Sequence, residues 1–143
     1  MVETPTLASG KNELSKLTSA AKPVSAFYEL SLDKALASGK PTVLLFATPA
    51  FCQTRFCGPM YEVSGELHRR YGGKANFIHV EVFTGLPNPA ENNWQTAPAM
   101  QAFGLRTEPW LFIIRRDGVI AYRVEGLFTA DEVESHLQVA LNR

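Results

Sequence analysis

The chain holds only two cysteines, Cys52 and Cys57, among 143 residues. A single pair so close together is not a secreted disulfide framework. A disulfide closing so short a loop removes little chain entropy, which weakens the reading of a structural staple. Two cysteines without a second pair also fall short of a structural zinc site. No apolar run approaches the roughly 20 residues that span a bilayer. The opening Met1-Val-Glu-Thr-Pro5 lacks both the basic start and the apolar stretch of a signal peptide. A chain trimmed behind a signal or lipid anchor would look the same, so this leaves the compartment open. Neither sign of charge is in excess, with 14 Lys and Arg against 14 Asp and Glu. No run of one sign occurs either, so nothing points to nucleic acid or an anionic membrane surface as partner. No internal repeat is present.

What remains suits one domain with one core. Hydrophobic residues make up 45% of the chain and charged residues 20%, ordinary values for a globular domain. Residues 1–25 are small and polar and read as a flexible, loosely packed arm, with the domain proper over 26–143. Residues 26–30 read as a short edge strand or turn. Ser31 is placed to cap a short helix over 32–37, ended by Gly39. The apolar run 42–47 reads as a central strand covered on both faces. From about Pro59 to Tyr71 the pattern turns helical, with Met60, Val63, Leu67 and Tyr71 on one side. A second strand runs over 76–83. Residues 84–98, rich in Pro, Asn and Gly, read as an irregular insertion, followed by a short helix over 97–103. Trp110 to Ile114 and Val119 to Val124 form two strands joined by a turn at Arg116-Asp117-Gly118. Thr129, with Glu132 three positions on, has the form of a capping box before a last helix bearing Val133, Leu137, Val139 and Leu141. The order β-α-β-α-β-β-α, behind a short helix, implies an α/β fold with a central mixed sheet and helices on both faces.

The informative stretch is Phe46-Ala-Thr-Pro-Ala-Phe-Cys52-Gln-Thr-Arg-Phe-Cys57-Gly-Pro-Met60. A buried strand delivers both cysteines to the start of a helix. Free N–H groups and the dipole at a helix N-terminus stabilise a thiolate there.

At these residues the sequence resembles the thioredoxin superfamily, over roughly 30–142. Four features carry the resemblance. The first is the apolar strand ending in Phe46-Ala47. The second is Phe56-Cys57-Gly58-Pro59, which is similar to Trp-Cys-Gly-Pro. The third is Phe103-Gly-Leu-Arg-Thr-Glu108-Pro109-Trp-Leu-Phe-Ile, and the fourth is the closing hairpin with Gly126 and an amphipathic helix. The irregular stretch after the second strand looks more like the extracytoplasmic TlpA/ResA-like branch, or the peroxiredoxins, than like plain thioredoxin. The resemblance implies a thioredoxin-like fold with a cis Pro109, beside which the backbone of Glu108 receives an extended substrate segment. It implies thiol–disulfide exchange at Cys52 and Cys57 with a partner protein or small thiol. Phe56, Gly58, Pro59 and Arg55 would support the site. The reading needs no metal or other cofactor. It expects a monomer at an extracytoplasmic site, periplasmic or on the cell surface, and leaves a cytoplasmic one open.

The chain also departs from the pattern. It has Cys-x4-Cys in place of Cys-x2-Cys, with Met60 where the second cysteine would stand. Two registers stay open. In one, Cys57 at the helix start is the nucleophile and Cys52 its partner from the loop; Gly58-Pro59 favours this one. In the other, Cys52 is the nucleophile and Cys57 resolves from inside the helix. The buried acid of thioredoxins is missing, since Leu44 and Leu45 occupy the matching strand. Glu108 and Glu81 are the candidates to replace it, Glu81 being read as an exposed strand residue. A carboxylate at Glu108 would raise a nearby thiol pKa, and Arg55 would lower it. The competing readings are a redox-inert binding module with a structural disulfide, a peroxiredoxin-like peroxidase, and copper binding of the Sco-like kind through the cysteines and a histidine. His68 is read as solvated, His79 as a core residue, and Trp94 and Trp110 as core or groove residues.

Overall fold

The sheet is organised around β1 (Thr42–Ala47), whose six residues are all buried. Its side chains alternate between two apolar layers, so both faces must be covered. A computed structural model describes residues 2–143, and Met1 lies outside the described residues. β1 pairs in parallel with β2 (Asn76–Glu81) and antiparallel with β3 (Trp110–Ile114). β3 pairs antiparallel with β4 (Ile120–Glu125), giving the order β2-β1-β3-β4. The expected mixed sheet flanked by helices is therefore the observed architecture. The parallel pair needs a crossover rather than a tight turn, and the helix α2 (Cys57–Tyr71) supplies it. β3 and β4 need only a hairpin. Gly118 sits in its turn at φ 84°, a left-handed backbone that favours glycine.

Val43, Leu45 and Ala47 of β1 point into one layer with Leu111 and Ile113 of β3. Met60 and Leu67 of α2, and Val133, Leu137 and Ala140 of α4 (Ala130–Leu141), close that layer. Leu44 and Phe46 point the other way, with Ile78, Val80, Phe112 and Ile114. Here the cover is thinner: Leu32 and Ala35 of α1 (Leu32–Leu36), and Ala99 and Met100 of α3 (Pro98–Ala102). Each fully buried Leu or Phe contributes about 1.5–3 kcal/mol through lost water contact.

Several local expectations change. The segment 2–25 is anchored at particular points rather than loose throughout: Thr4, Leu17 and Thr18 are buried, while many of its other residues are exposed. The Leu7 amide donates to the Tyr28 carbonyl at 2.8 Å. Ser31 takes the N-cap position of α1, but its hydroxyl does not cap the helix. The hydroxyl accepts the Thr4 amide at 2.9 Å, and Thr4 Oγ1 accepts the Leu32 amide at 3.0 Å instead. Residues 26–30 form a turn, with Ser25–Tyr28 in a 3-10 helix that buries Phe27 and Tyr28. α2 begins two residues earlier than expected, at Cys57. β2 ends at Glu81, short of Phe83. On α4, Thr129 Oγ1 accepts the Glu132 amide at 3.2 Å, as a capping box requires. Val139 is exposed there, and Ala140 holds the core position. His68 is half-buried rather than fully solvated. Its ring stands edge-on to Phe27 and Phe77, at centroid distances of 5.7 and 5.4 Å.

Candidate active site

β1 ends at Ala47, and the loop from Thr48 to Phe56 carries the chain to α2. Cys52 and Cys57 are joined in a disulfide, with their Cα atoms 6.0 Å apart. The two sulfurs are not equivalent. Cys57 is the first residue of α2 and is fully buried. Cys52 is half-buried, and its Sγ lies 3.2 Å from Thr54 Oγ1. Exposure thus singles out Cys52, although Cys57 holds the helix start. The N-cap residue of α2 is Phe56, which offers no side-chain cap, and the first turn has no acidic residue. Pro59, in the same turn, has no N–H to leave unpaired. The partial positive charge of a 15-residue helix is therefore open toward the Cys57 sulfur. Between the cysteines, Arg55 is exposed and its backbone lies at φ 73°. This left-handed conformation is costly for a residue with a side chain.

Pro109 precedes β3, and the Glu108–Pro109 peptide is cis. The Pro109 carbonyl accepts the Gly126 amide at 2.9 Å, which ties it to the end of β4. Trp110 Nε1 donates to Thr107 Oγ1 at 2.9 Å, and that hydroxyl donates to Glu125. Glu108 is partly buried, and desolvation pushes its carboxyl above the ordinary range. The Gln53 amide, next to Cys52, acts in the opposite direction, so Glu108 lies against the cysteine loop. Phe56 is 40% exposed beside the disulfide, and Pro59 of the first turn is exposed too. Gly58 has open space where a Cβ would stand. Trp94 stacks edge-on against Phe51 and Phe83, at 5.7 and 5.2 Å, and bridges the 84–98 insertion to the cysteine loop.

Below the loop lies a set of buried polar groups that sequence reading placed only in part. His79 is a core residue, and both its ring nitrogens are engaged. Nδ1 lies 2.8 Å from Tyr28 Oη, and Nε2 lies 2.8 Å from the Ala47 carbonyl. Burial holds its pKa down at about 4. Tyr28 Oη meets Tyr61 Oη at 2.9 Å, and Tyr61 Oη accepts the Val24 amide at 3.0 Å. Desolvation raises both phenols, so they stay neutral. Glu81 corrects the expectation of an exposed strand residue, for it is 5% exposed. The N-terminal segment covers it, with both the amide and the hydroxyl of Ser19 donating to Oε1 at 2.5 Å. Desolvation lifts its carboxyl to about 7, against the hydrogen bonds from Ser19. Strand parity carried a usable signal: Glu81 is two residues beyond His79 and so shares its face.

A mixed sheet in this order, with a disulfide at the start of the crossover helix and a cis proline before the third strand, is a thioredoxin-like fold. Solved structures agree. The chain is similar to DsbF of MTB, with 23% identity and a TM-score of 0.57, over 71% of this chain and 81% of that one. It is also similar to DsbE, a thiol:disulfide interchange protein from Chlorobium tepidum (19% identity, TM-score 0.59, 78% and 86% covered). A third is the exposed lipoprotein thioredoxin Etrx1 from Streptococcus pneumoniae (15%, 0.59, 76% and 90%). No family model and no curated protein matches the chain. Among the described residues no helix is long and apolar enough to cross a membrane. No group of three or more His, Cys, Asp or Glu side chains is arranged to share a metal there either.

Proposed function

We propose that the protein is a thiol–disulfide oxidoreductase that exchanges the Cys52–Cys57 disulfide with a partner protein or small thiol. The supporting observation is the asymmetry of the two sulfurs: one reachable, one buried at an uncapped helix start. A partner thiolate attacks Cys52 Sγ, forming a partner–Cys52 bond and breaking the Cys52–Cys57 bond. Cys57 leaves as a thiolate facing the N-terminus of α2. A second partner thiolate then attacks the partner's own sulfur. The partner disulfide forms, and Cys52 departs as a thiolate. In the reverse direction the Cys52 thiolate attacks a partner disulfide. Cys57 then attacks Cys52 Sγ, closes the internal disulfide and expels the partner thiolate. This assigns Cys52 as nucleophile and Cys57 as resolving cysteine, against the weight that Gly58-Pro59 gives to the other register. The partner segment lies along the backbone of Glu108 and Pro109, with Phe56 as its apolar contact. The pair works without metal or cofactor, in a monomer, at an extracytoplasmic site. An exposed lipoprotein and a thiol:disulfide interchange protein among the neighbours support that compartment.

The test is a redox titration against glutathione buffers with wild type, Cys52→Ser and Cys57→Ser. Reversible exchange, with Cys57→Ser trapping a mixed disulfide on Cys52, is the expected result. A disulfide that glutathione and thioredoxin leave intact, with no trapping in either variant, would make it a structural staple and overturn the assignment.

A further inference from the structure

The N-terminal segment walls one side of a pocket next to the loop that carries the reachable sulfur. The pocket holds about 310 Å³. Three stretches far apart in the chain meet around it. Leu14 and Pro23 come from the N-terminal segment, Ala50 and Phe51 from the cysteine loop, and Leu86 and Pro87 from the 84–98 insertion. Phe51 immediately precedes Cys52, and Trp94 braces its ring edge-on at 5.7 Å. Among the described residues no charged side chain lines the pocket. Hydroxyls do line it, and those of Thr18 and Ser19, withdrawn from solvent, are already engaged. Ser19 Oγ donates to Glu81 Oε1 and accepts the Ala50 amide at 3.0 Å. Thr18 Oγ1 accepts the Ala20 amide at 3.0 Å. An apolar group can therefore fill the pocket without stranding a buried polar one, whereas a charged group would enter without a counter-charge.

We propose that this pocket is a specificity subsite of the exchange reaction: it receives a large apolar side chain that a partner protein carries close to the cysteine bonded to Cys52. The inference rests on the exchange reading above and adds the class of substrate to it. Position, size and lining name the occupant. Ala50 and Phe51 belong both to the pocket wall and to the reacting loop, so a partner segment held by the partner–Cys52 bond lies against the pocket mouth. The volume is at the lower end of the roughly 300–1,000 Å³ of pockets that bind organic ligands. It suits one or two side chains rather than a whole cofactor, and the uncharged lining selects apolar ones. The insertion follows β2 and Pro109 precedes β3, on opposite flanks of β1 at the same end of the sheet. A segment that starts along Glu108 and Pro109 and ends in the pocket therefore crosses the cysteine loop. Anchoring it on both flanks holds the partner's sulfur over Cys52. Glutathione carries charged ends and no apolar side chain, so it gains nothing from the pocket.

The experiment mixes the reduced protein with symmetrical disulfides of short uncharged peptides and, separately, with glutathione disulfide. Each peptide has one cysteine in a Gly–Ser background, with leucine, phenylalanine or serine set at successive positions on either side of it. The Cys52 thiolate attacks the probe disulfide, one peptide leaves as a thiolate, and Cys57 then displaces the other. The second-order rate constant is read. In wild type, leucine at one preferred position should raise it about tenfold over serine, the gain from burying one side chain. Ala20 is half-buried on the pocket wall. Ala20→Trp fills the space and should erase the leucine advantage while leaving the glutathione rate unchanged. Leu86→Ala opens the pocket instead and should shift the preference from leucine toward phenylalanine, so the test does not hang on one variant. Equal rates for leucine and serine peptides, a preference for a charged residue, or a leucine advantage that survives Ala20→Trp would overturn the inference and leave the exchange function standing. A dimer in sedimentation that Ala20→Trp dissolves would assign the pocket to a second copy of the chain and overturn it as well. A cysteine pair that exchanges with no probe, glutathione included, would overturn both readings.

Discussion

The two faces of the sheet are built on different physics. The face under α1 and α3 is mainly apolar, with Thr42 and Asn76 hydrogen-bonded to each other at one end. Phe46, Phe103 and Phe112 pack there with ring centroids 5.0–5.9 Å apart, and Leu44, Ile78 and Val80 fill the rest. The face under α2 shares its core with His79, Glu81, Tyr28, Tyr61 and Thr48, all buried. The disulfide is on that side, at the start of α2. Apolar burial resists any change in shape but does not respond to protons. A buried polar network is stable only while each partner is present, and its members titrate. The fold therefore places its rigidity on one side and its proton sensitivity on the side that carries the sulfurs.

The largest expected effect tests the apolar face. Phe46→Ala should cost about 3–5 kcal/mol, because Phe46 is fully buried between two aromatic rings that cannot collapse into the gap. Denaturant unfolding at pH 5.5 and pH 8 should give the same loss at both. A pH-dependent loss would mean that the two faces are not separable in this way.

The second effect tests the polar face and carries a sign. The folded pKa of Glu81, raised to about 7, lies above that of the unfolded chain. The folded state thus binds the proton more tightly, so the stability this group contributes is full below about 4.5 and is lost as pH rises through about 7. Glu81→Gln removes that loss. Relative to wild type it should gain stability on going from pH 4.5 to pH 8, by an amount on the order of 3 kcal/mol. His79 acts with the opposite sign, since its pKa is depressed to about 4. Its contribution is present above about 6.5 and is lost as pH falls toward 4. A flat difference between Glu81→Gln and wild type in urea unfolding across this range would show that the carboxyl is not desolvated as the structure has it.

What the sequence made legible follows from the same division. β1, β2 and β3 announce themselves because their apolar runs carry the period of a buried strand. Thr129 and Glu132 announce α4 because capping is local chemistry. The site stretch was legible from Phe56-Cys57-Gly58-Pro59 set against Pro109. The anchoring points of the N-terminal segment were hidden because hydrogen bonds as well as apolar contacts make them. Thr4, Leu7 and Ser19 bond to Ser31, Leu32, Tyr28 and Glu81, and such bonds leave no period in a small, polar stretch. Glu81 was misread for a related reason. In Phe77-Ile78-His79-Val80-Glu81 the acid looks like the solvent end of a strand, unless something covers it. The cover is Ser19, 62 positions away in the chain. The difference between the sulfurs was also hidden, because Cys57 is buried in a core shared with residues as distant in the chain as Phe128 and Val133.

The smallest of these effects, and the sharpest probe of the polar face, is Tyr61→Phe. The substitution keeps the ring, which stands edge-on to Phe27 at 5.4 Å and to His79 at 4.9 Å. It deletes one oxygen. That oxygen accepts the Val24 amide and meets Tyr28 Oη, so the deletion leaves an amide without its acceptor and removes the Tyr61 end of the chain that runs through Tyr28 to His79. The expected cost is about 1–2 kcal/mol, the range for a buried donor left unpaired. It should appear in denaturant unfolding at pH 7. Because the phenol is neutral across the working range, the cost should not change between pH 5.5 and pH 8, in contrast to Glu81→Gln. If Tyr61→Phe is neutral, the hydroxyl chain is dispensable, and the proton sensitivity of this face belongs to Glu81 and His79 alone. If the cost exceeds that of Phe46→Ala, the polar network rather than the aromatic stack holds the sheet, and the division of labour between the faces is reversed.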